Sequence, residues 1–511
     1  MAARVQALES GAPDVPAVSI HMSFGPRPLR ELLAAIPAAE VVGDLDVPVA
    51  GVTYRSAEVR PGWLFFCVPG TRVDGHVFAE QAASAGAVAL IAERRLAGPP
   101  AVTQVLIPSV REAMGPVAAR FYGSPWEAMV MVGITGTAGK TTSTHLLERV
   151  FLEAGLVPGV IGTTGVRVDG SKEAYDRTTP EAPDLQRYLA TMRHRGVGAV
   201  AMEVSSHGLH QHRVGGIRYD CAVFTNLSQD HLDYHGSMED YFETKARLFT
   251  PAMADRAAVN HDSPEGRRLA AGSIPVITYG LGSGADVRGR DVQVGPEGIR
   301  FRVGETEIRS RLLGAANVSN CLAVLAAARQ VGIADDVTVR GIAALPAVPG
   351  RMEAVEAGQP FRVVVDYAHK PGGLENALGS ARPLAGEHRV ISVIGCGGDR
   401  DRGKRPVMGE VSTRLADVTV LTSDNPRSEE PMAIIREMEA GADRGGGSYL
   451  VEADRRAAIH LALQEAGPGD VVVIAGKGDE TGQEFADRTI PFDDRIVARE
   501  ELEALGLGAK R

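Results

Sequence analysis

Lysine is scarce in this chain: seven of its 54 basic residues are Lys, and arginine fills nearly every other place where a positive charge serves. Cysteine is scarcer, four in 511 residues at positions 67, 221, 321 and 396. They lie far apart with no metal-type spacing, and read as reduced, mostly buried thiols of a cytosolic protein. No apolar run approaches twenty residues, so no membrane insertion is expected. Positive charge is also lacking overall. A net charge of −10 argues against a nucleic-acid partner. The first 25 residues mix Arg4, Glu9, Pro13, Asp14 and Pro16 without an apolar segment, which suggests a disordered tail rather than a signal peptide. No internal repeat is apparent.

The lysines that survive this bias are informative. They are Lys140, Lys172, Lys245, Lys370, Lys404, Lys477 and Lys510. Only an amine can deprotonate and react, so a retained Lys marks a place where Arg is no substitute. Lys140, Lys370, Lys404 and Lys477 lie in or beside glycine-rich or acidic motifs.

What is present most clearly is the stretch from Met129 to Thr142. An apolar run of strand length enters Gly136-Thr137-Ala138-Gly139-Lys140-Thr141-Thr142, and helical spacing follows at Leu146, Leu147, Val150 and Phe151. Such a turn aims backbone N–H groups and a helix N-terminus at one spot, which suits a polyphosphate. Lys140 would reach the terminal phosphates and the Thr141 hydroxyl would ligate Mg²⁺. A strict P-loop wants glycine where Ile134 stands, but a plain strand-to-helix turn has no use for Lys-Thr-Thr. The chain is expected to bind ATP.

The length suggests about three domains. Residues 26–125 show short apolar runs between Gly/Pro turns without a phosphate loop, a smaller N-terminal α/β domain. Residues 126–350 alternate apolar strands (Ala199 to Val204, Ala222 to Thr225, Ala257 to Asn260, Val276 to Tyr279) with helical segments, a central P-loop-type parallel-sheet ATPase domain. A β-rich excursion follows over Val287 to Arg311. Residues 351–511 repeat strand–loop–helix units, a Rossmann-like C-terminal domain. Each of its strands ends in a polar turn: Asp366 to His369, Gly395 to Arg400, Asp424 to Arg427 and Gly476 to Gly478. Ligands of open parallel sheets sit at the carboxyl ends of the strands, so these turns should converge on one site.

Glu203 stands at a strand end beside the P-loop, where a carboxylate can hold Mg²⁺. Asn226 to Gly236 is dense in His, Asp and Asn and suggests a second cation or nucleotide contact; an Asx-rich loop bonded to its own backbone is the alternative. By pattern alone, Lys245 reads as an exposed lysine on an amphipathic helix.

Taken in order, Gly-Thr-Ala-Gly-Lys-Thr-Thr, Glu-Val-Ser-Ser-His-Gly, Asp-His-Leu-Asp-Tyr-His-Gly, Asp-Tyr-Ala-His, Gly-Cys-Gly-Gly-Asp-Arg-Asp and Asp-Asn-Pro-Arg resemble the motif series of the Mur ligases. The resemblance spans about residues 26–500 and is to members that add meso-diaminopimelate to UDP-N-acetylmuramoyl-L-alanyl-D-glutamate. It implies a carbamate on Lys245 and an Mg²⁺ shell of Thr141, Glu203, His231 and that carbamate, with Lys140, Lys245 and His231 catalytic. It implies that ATP meets Gly136 to Thr142, Asn317, Asn320, Arg351 and Asp366. Ser56, His76, Thr178, Thr179, Ser205, Gln211 and Arg213 would hold the UDP precursor. Arg400, Asp424, Asn425, Arg427, Gly476 and Glu480 would read diaminopimelate. The chain is expected to be a monomer. Five residues depart from the family pattern: Ala138 for Asn, Arg55 and Ala57 around Ser56 for the Asp and Arg of Asp-Ser-Arg, Asp479 for His and Gly482 for Tyr.

Diaminopimelate differs from lysine by a second carboxylate, which the planar fork of Arg427 can bind while Asn425 adds a directional donor. A lysine-adding ligase would set cation against cation there. That ligase, a folylpolyglutamate-forming relative and a P-loop ATPase acting through a partner remain the alternatives. An oxidoreductase is suggested only by one glycine-rich turn, which ends in Asp-Arg-Asp rather than a helix start.

Overall fold

The computed structural model describes residues 24–36, 40–70, 73–96, 102–168, 171–173, 175 and 177–507. The expected N-terminal tail and Lys510 lie outside them, apart from Phe24 and Gly25. The chain is α/β, and it gathers into two compact units.

The first unit runs to Tyr279 and includes Gly284–Asp286 and Ala323–Gly341. Its N-terminal part is a five-stranded sheet of Gly51–Thr53, Trp63–Phe66, Ala89–Ala92, Thr103–Leu106 and Glu40–Val42; only the last strand is antiparallel. Leu64, Phe66, Ile91 and Val105 form its core with Met114, Val117 and Phe121 of the helix Val110–Phe121. Its central part is built on Val130–Thr135, every residue of which is buried. Strand Ala199–Glu203 lies parallel on one side of it and Cys221–Phe224 on the other. Ala257–Asn260 and Val276–Gly280 extend the parallel order. Near-continuous apolar runs such as Val-Met-Val-Gly-Ile are what a strand covered on both faces requires. The opposite side continues parallel through Pro158–Gly162 and then turns antiparallel at Gly165–Val168 and Ser171–Glu173.

The second unit comprises Gly280–Ser283, Val287–Leu322 and Ile342–Arg511. Val287–Gly295, Gly298–Val303 and Thr306–Ser310 form the β-rich excursion as an antiparallel meander. The six-stranded sheet of this unit runs in the order 353–354, 362–366, 471–475, 390–396, 418–423, 448–451, parallel except for its first strand. Its helices pack on both faces, one core holding Leu378, Met408 and Met438 and the other Ile459, Leu463 and Val497. Five parallel strands therefore present their carboxyl ends along one edge, where the four polar turns emerge. All four cysteines are buried and unbridged.

Candidate active site

In the first unit the strand Val130–Thr135 delivers the chain into the glycine-rich turn, and the helix Lys140–Glu153 leaves it. Gly136 and Gly139 have φ +145° and +85°. A Cβ at Gly136 would lie 1.9 Å from Thr225 Oγ1, so backbone geometry and space both demand glycine. The loop is held from outside. Asn226 Oδ1 accepts from Ala138 N at 2.9 Å, Thr225 Oγ1 donates to Ala138 O at 2.6 Å, and Thr137 N donates to Asn226 O at 2.9 Å. Ser228 N adds a bond to Thr137 Oγ1 at 3.0 Å. The polar loop after Cys221–Phe224 thus satisfies the backbone of the phosphate loop rather than its own. Sequence reasoning missed this role because it joins segments nearly ninety residues apart.

Lys140 curls back over the loop, donating to Gly136 O at 2.8 Å and Thr137 O at 2.9 Å. Thr141 and Thr142 are buried at the helix start. Lys245, on the helix Met238–Ala246, is 1 % exposed and donates to Gly136 O at 3.0 Å. The reading of an exposed helix lysine is therefore overturned: this face of the helix packs against the phosphate loop. Two lysine side chains thus share one carbonyl acceptor.

Glu203 is likewise buried, and its two carboxylate oxygens accept from Thr163 N at 2.9 Å and Thr163 Oγ1 at 3.1 Å. Thr163 Oγ1 also lies 3.2 Å from Thr178 Oγ1. Thr179 Oγ1 donates to Glu203 O at 3.0 Å and accepts from Ser205 N at 3.0 Å. Ser205 caps the helix Ser206–His210. Arg213 donates to Thr179 O at 3.0 Å and to Gln211 Oε1 at 2.6 Å, and burial lowers its pKa. Gln211 in turn donates to Tyr234 OH at 3.1 Å. The structure thus brings Thr178, Thr179, Glu203, Ser205, Gln211 and Arg213 into one connected group. His231 caps the next short helix at φ +52°, its ring edge-on to His207 at 4.7 Å and its Nε2 3.4 Å from Asp230. Burial beside His235 and Arg213 pushes His207 down to about 4.

The N-terminal positions behave differently. His76 is buried with both ring nitrogens engaged, Nδ1 to Asp74 at 2.6 Å and Nε2 accepting from Glu93 N at 2.9 Å. Its ring therefore anchors the Asp74-Gly75-His76 turn to the sheet. Ser56 opens a short 3₁₀ turn. Arg55, where the family has Asp, pairs with Asp184 at 2.6 Å, and Tyr54 OH donates to the same carboxylate at 2.9 Å.

In the second unit the four turns meet. Lys404 Nζ donates to His369 O at 2.8 Å, and Arg427 Nη1 donates to Gly398 O at 2.8 Å. Asn425 is held on both sides: its amide donates to Glu480 at 2.9 Å and its oxygen accepts from Lys477 and Glu484 N, each at 3.0 Å. Lys477, fully buried, also pairs with Glu480 at 3.0 Å. Arg427 Nε pairs with Glu484 at 2.8 Å. Asp424 Oδ2 is buried without a hydrogen-bond partner, and a Cβ at Gly476 (φ +125°) would come within 2.6 Å of it. Beneath them Arg455 and Asp494 form a fully buried pair at 2.7 Å. Arg400 is exposed at the rim. Asp366 accepts from Met352 N at 2.8 Å, with its pKa raised by burial against the pull of Arg351, whose guanidinium sits 4.3 Å from the Tyr367 ring centre. Asn320 donates to Asn317 at 2.8 Å, and Asn317 to Leu313 O at 2.8 Å.

Among the described residues no three His, Cys, Asp or Glu side chains converge as a metal site. Thr141 and Glu203 are hard oxygen donors, a set that suits Mg²⁺, which keeps waters and phosphate oxygens as its other ligands. No helix among these residues is long and apolar enough to cross a membrane.

A phosphate-loop unit together with a second parallel sheet whose strand ends carry Arg, Asn and Lys is the arrangement of an ATP-dependent ligase, and the family comparison agrees. The models of the Mur ligase family catalytic domain, the Mur ligase middle domain and the Mur ligase glutamate ligase domain match residues 48–122, 134–328 and 350–478. The chain belongs to the Mur ligase family. It is 46 % identical over 484 residues to the UDP-N-acetylmuramoyl-L-alanyl-D-glutamate--2,6-diaminopimelate ligase of Geobacillus thermodenitrificans, covering 92 % of this chain and 98 % of that one. The Streptomyces avermitilis protein of the same name is 45 % identical over 500 residues, covering 94 % and 98 %. A solved structure of a ligase of that name aligns with TM-score 0.68 and 32 % identity over 95 % of this chain and all of that one. The D-alanyl-D-alanyl-adding ligase of Acinetobacter baumannii, at 16 % identity and TM-score 0.62 over 90 % of this chain and 97 % of that one, shares the fold.

Proposed function

We propose that this chain joins meso-diaminopimelate to the D-glutamyl γ-carboxylate of UDP-N-acetylmuramoyl-L-alanyl-D-glutamate at the cost of ATP, in the cytoplasm. The activity is the one its relatives are named for at 46 % and 45 % identity over nearly full length. The observation that carries it is the Asn425–Arg427 turn at the strand ends, where Lys477, Glu480 and Glu484 brace an amide and a guanidinium side by side. A carboxylate-bearing amine fits such a fork, whereas the ammonium end of lysine does not.

A carboxylate is a poor electrophile, so the reaction needs a leaving group. The γ-phosphoryl group of ATP passes to the glutamyl carboxylate, giving an acyl phosphate. The amine of diaminopimelate attacks the carbonyl carbon, and phosphate leaves from the tetrahedral intermediate. In this reading Lys140 swings from Gly136 O and Thr137 O onto the terminal phosphates, while the loop N–H groups and the helix start stabilise the transferred charge. Thr141, Glu203, His231 and a Lys245 carbamate would hold Mg²⁺, which supplies charge neutralisation on the phosphates. Carbamylation turns the buried Lys245 cation into an anion, relieving its opposition to Lys140. Asn317, Asn320, Arg351 and Asp366 serve the nucleotide. Thr178, Thr179, Ser205, Gln211 and Arg213 hold the dipeptide, and Ser56 with the turn anchored by His76 serves the uridine. Residues 26–125, 126–350 and 351–511 divide these tasks. A diaminopimelate-dependent release of phosphate tests the reaction; release that ignores the amine would refute it.

A further inference from the structure

Tyr241 occupies a position that the reaction as described does not use. It is 1 % exposed, on the helix that carries Lys245 one turn further on. Its hydroxyl lies 3.3 Å from Thr137 Oγ1 in the phosphate loop. Its ring face lies 4.6 Å from Lys245 Nζ, and the ring of His235 packs against it at 5.0 Å with 34° between planes. His231 approaches it edge-on at 6.3 Å. One side chain therefore touches the loop and the helix lysine together, and two histidine rings limit its rotation.

We propose that Tyr241 is a positioning residue that fixes the phosphate loop and Lys245 in register: its hydroxyl holds Thr137, and its ring holds the Lys245 side chain over Gly136 O. The two contacts are separable. Thr137 Oγ1 is also bonded to Ser228, so without the Tyr241 hydroxyl the loop loses one of its braces while Lys245 stays in place. Without the ring, the Lys245 side chain loses the apolar surface it lies against, whatever the charge at its end, and the helix lysine no longer keeps one rotamer beside the loop. The inference rests on the phosphate-loop reading above.

The test uses the full-length enzyme and two variants, Tyr241→Phe and Tyr241→Leu, with Mg·ADP binding by calorimetry and the carbamate signal of Lys245 by ¹³C NMR in labelled bicarbonate. Loss of one hydrogen bond on the loop should weaken Mg·ADP about fivefold in Tyr241→Phe. The carbamate signal and the rate at saturating ATP should stay close to wild type in that variant. Tyr241→Leu should weaken Mg·ADP to a similar degree and also lose rate at saturating ATP, with the carbamate signal reduced. Wild-type Mg·ADP affinity in Tyr241→Phe would overturn the proposal; that variant keeps the ring, so it answers even if the Leu variant fails to fold. Equal losses of affinity and saturating rate in Tyr241→Phe would mark a merely structural residue and overturn it too. Failure of the wild-type enzyme to bind Mg·ADP would instead remove the phosphate-loop reading, and a missing wild-type carbamate signal would remove the Lys245 reading.

Discussion

Replacing Arg427 by Ala should separate the two halves of the reaction. Arg427 holds a left-handed backbone (φ +49°), but Ala keeps a Cβ as Arg does, so the exchange adds little backbone strain. Its Nε and Nη1 are engaged with Glu484 and Gly398 O, which aims the rest of the fork. A hydrogen bond to a charged group contributes about 1.5–3 kcal/mol. At about 1.4 kcal/mol per tenfold, the KM for diaminopimelate should rise about 10- to 150-fold. The KM for ATP should change less than about twofold, since the phosphate loop belongs to the other unit. Glu484 is 52 % exposed, so its pair with Arg427 contributes at most about 1 kcal/mol. Glu484→Gln should therefore raise the same KM no more than about fivefold. Steady-state kinetics with each substrate varied in turn gives all these numbers. Equal rises in both KM values, or a loss confined to kcat, would refute the assignment of Arg427 to the amino-acid pocket.

Lys245→Ala should abolish turnover while leaving the fold intact, with partial recovery on adding a short carboxylate; full activity without rescue would contradict the carbamate. Gly136→Ala places a methyl 1.9 Å from Thr225 Oγ1 and should abolish Mg·ADP binding, measured by calorimetry, without lowering the melting temperature of the second unit. His369 is pushed from 6.5 down to about 4 by burial beside Lys370 and Lys404, with Nδ1 donating to Tyr367 O. A depressed histidine stabilises the fold above the unfolded pKa, and that contribution falls away as pH drops from about 6.5 through about 4. Denaturant titrations should show His369→Gln losing less stability across that window than the wild type does.

The phosphate loop was legible because strand, glycine turn and helix are local, and Gly136 to Thr142 leave few alternatives. The carboxyl-edge turns were legible for a related reason: each follows a buried apolar run such as Val390–Ile394 or Val471–Ile474. What escaped depends on distant partners. Lys245 looks like any lysine on an amphipathic helix until the face it occupies is seen to meet Gly136 O. Asn226 reads as a loop residue until Ala138 is found on both ends of its amide. The role of Lys477 as the brace of Asn425 and Glu480 has no local signal beyond its survival in a lysine-poor chain. Strand Ser448–Val451 is mostly exposed and has no apolar alternation to announce it. The edge strand Ser171–Glu173 is short and lies at the end of the sheet, where burial imposes little pattern, and its neighbour Gly165–Val168 is only four residues long.

The most direct measurement is phosphate release from ATP with UDP-N-acetylmuramoyl-L-alanyl-D-glutamate present, comparing meso-diaminopimelate, L-lysine and no amine. The account predicts release that depends strictly on diaminopimelate. Release driven equally by lysine would keep the ligase but contradict the role given to Arg427, and release indifferent to any amine would contradict the ligase itself.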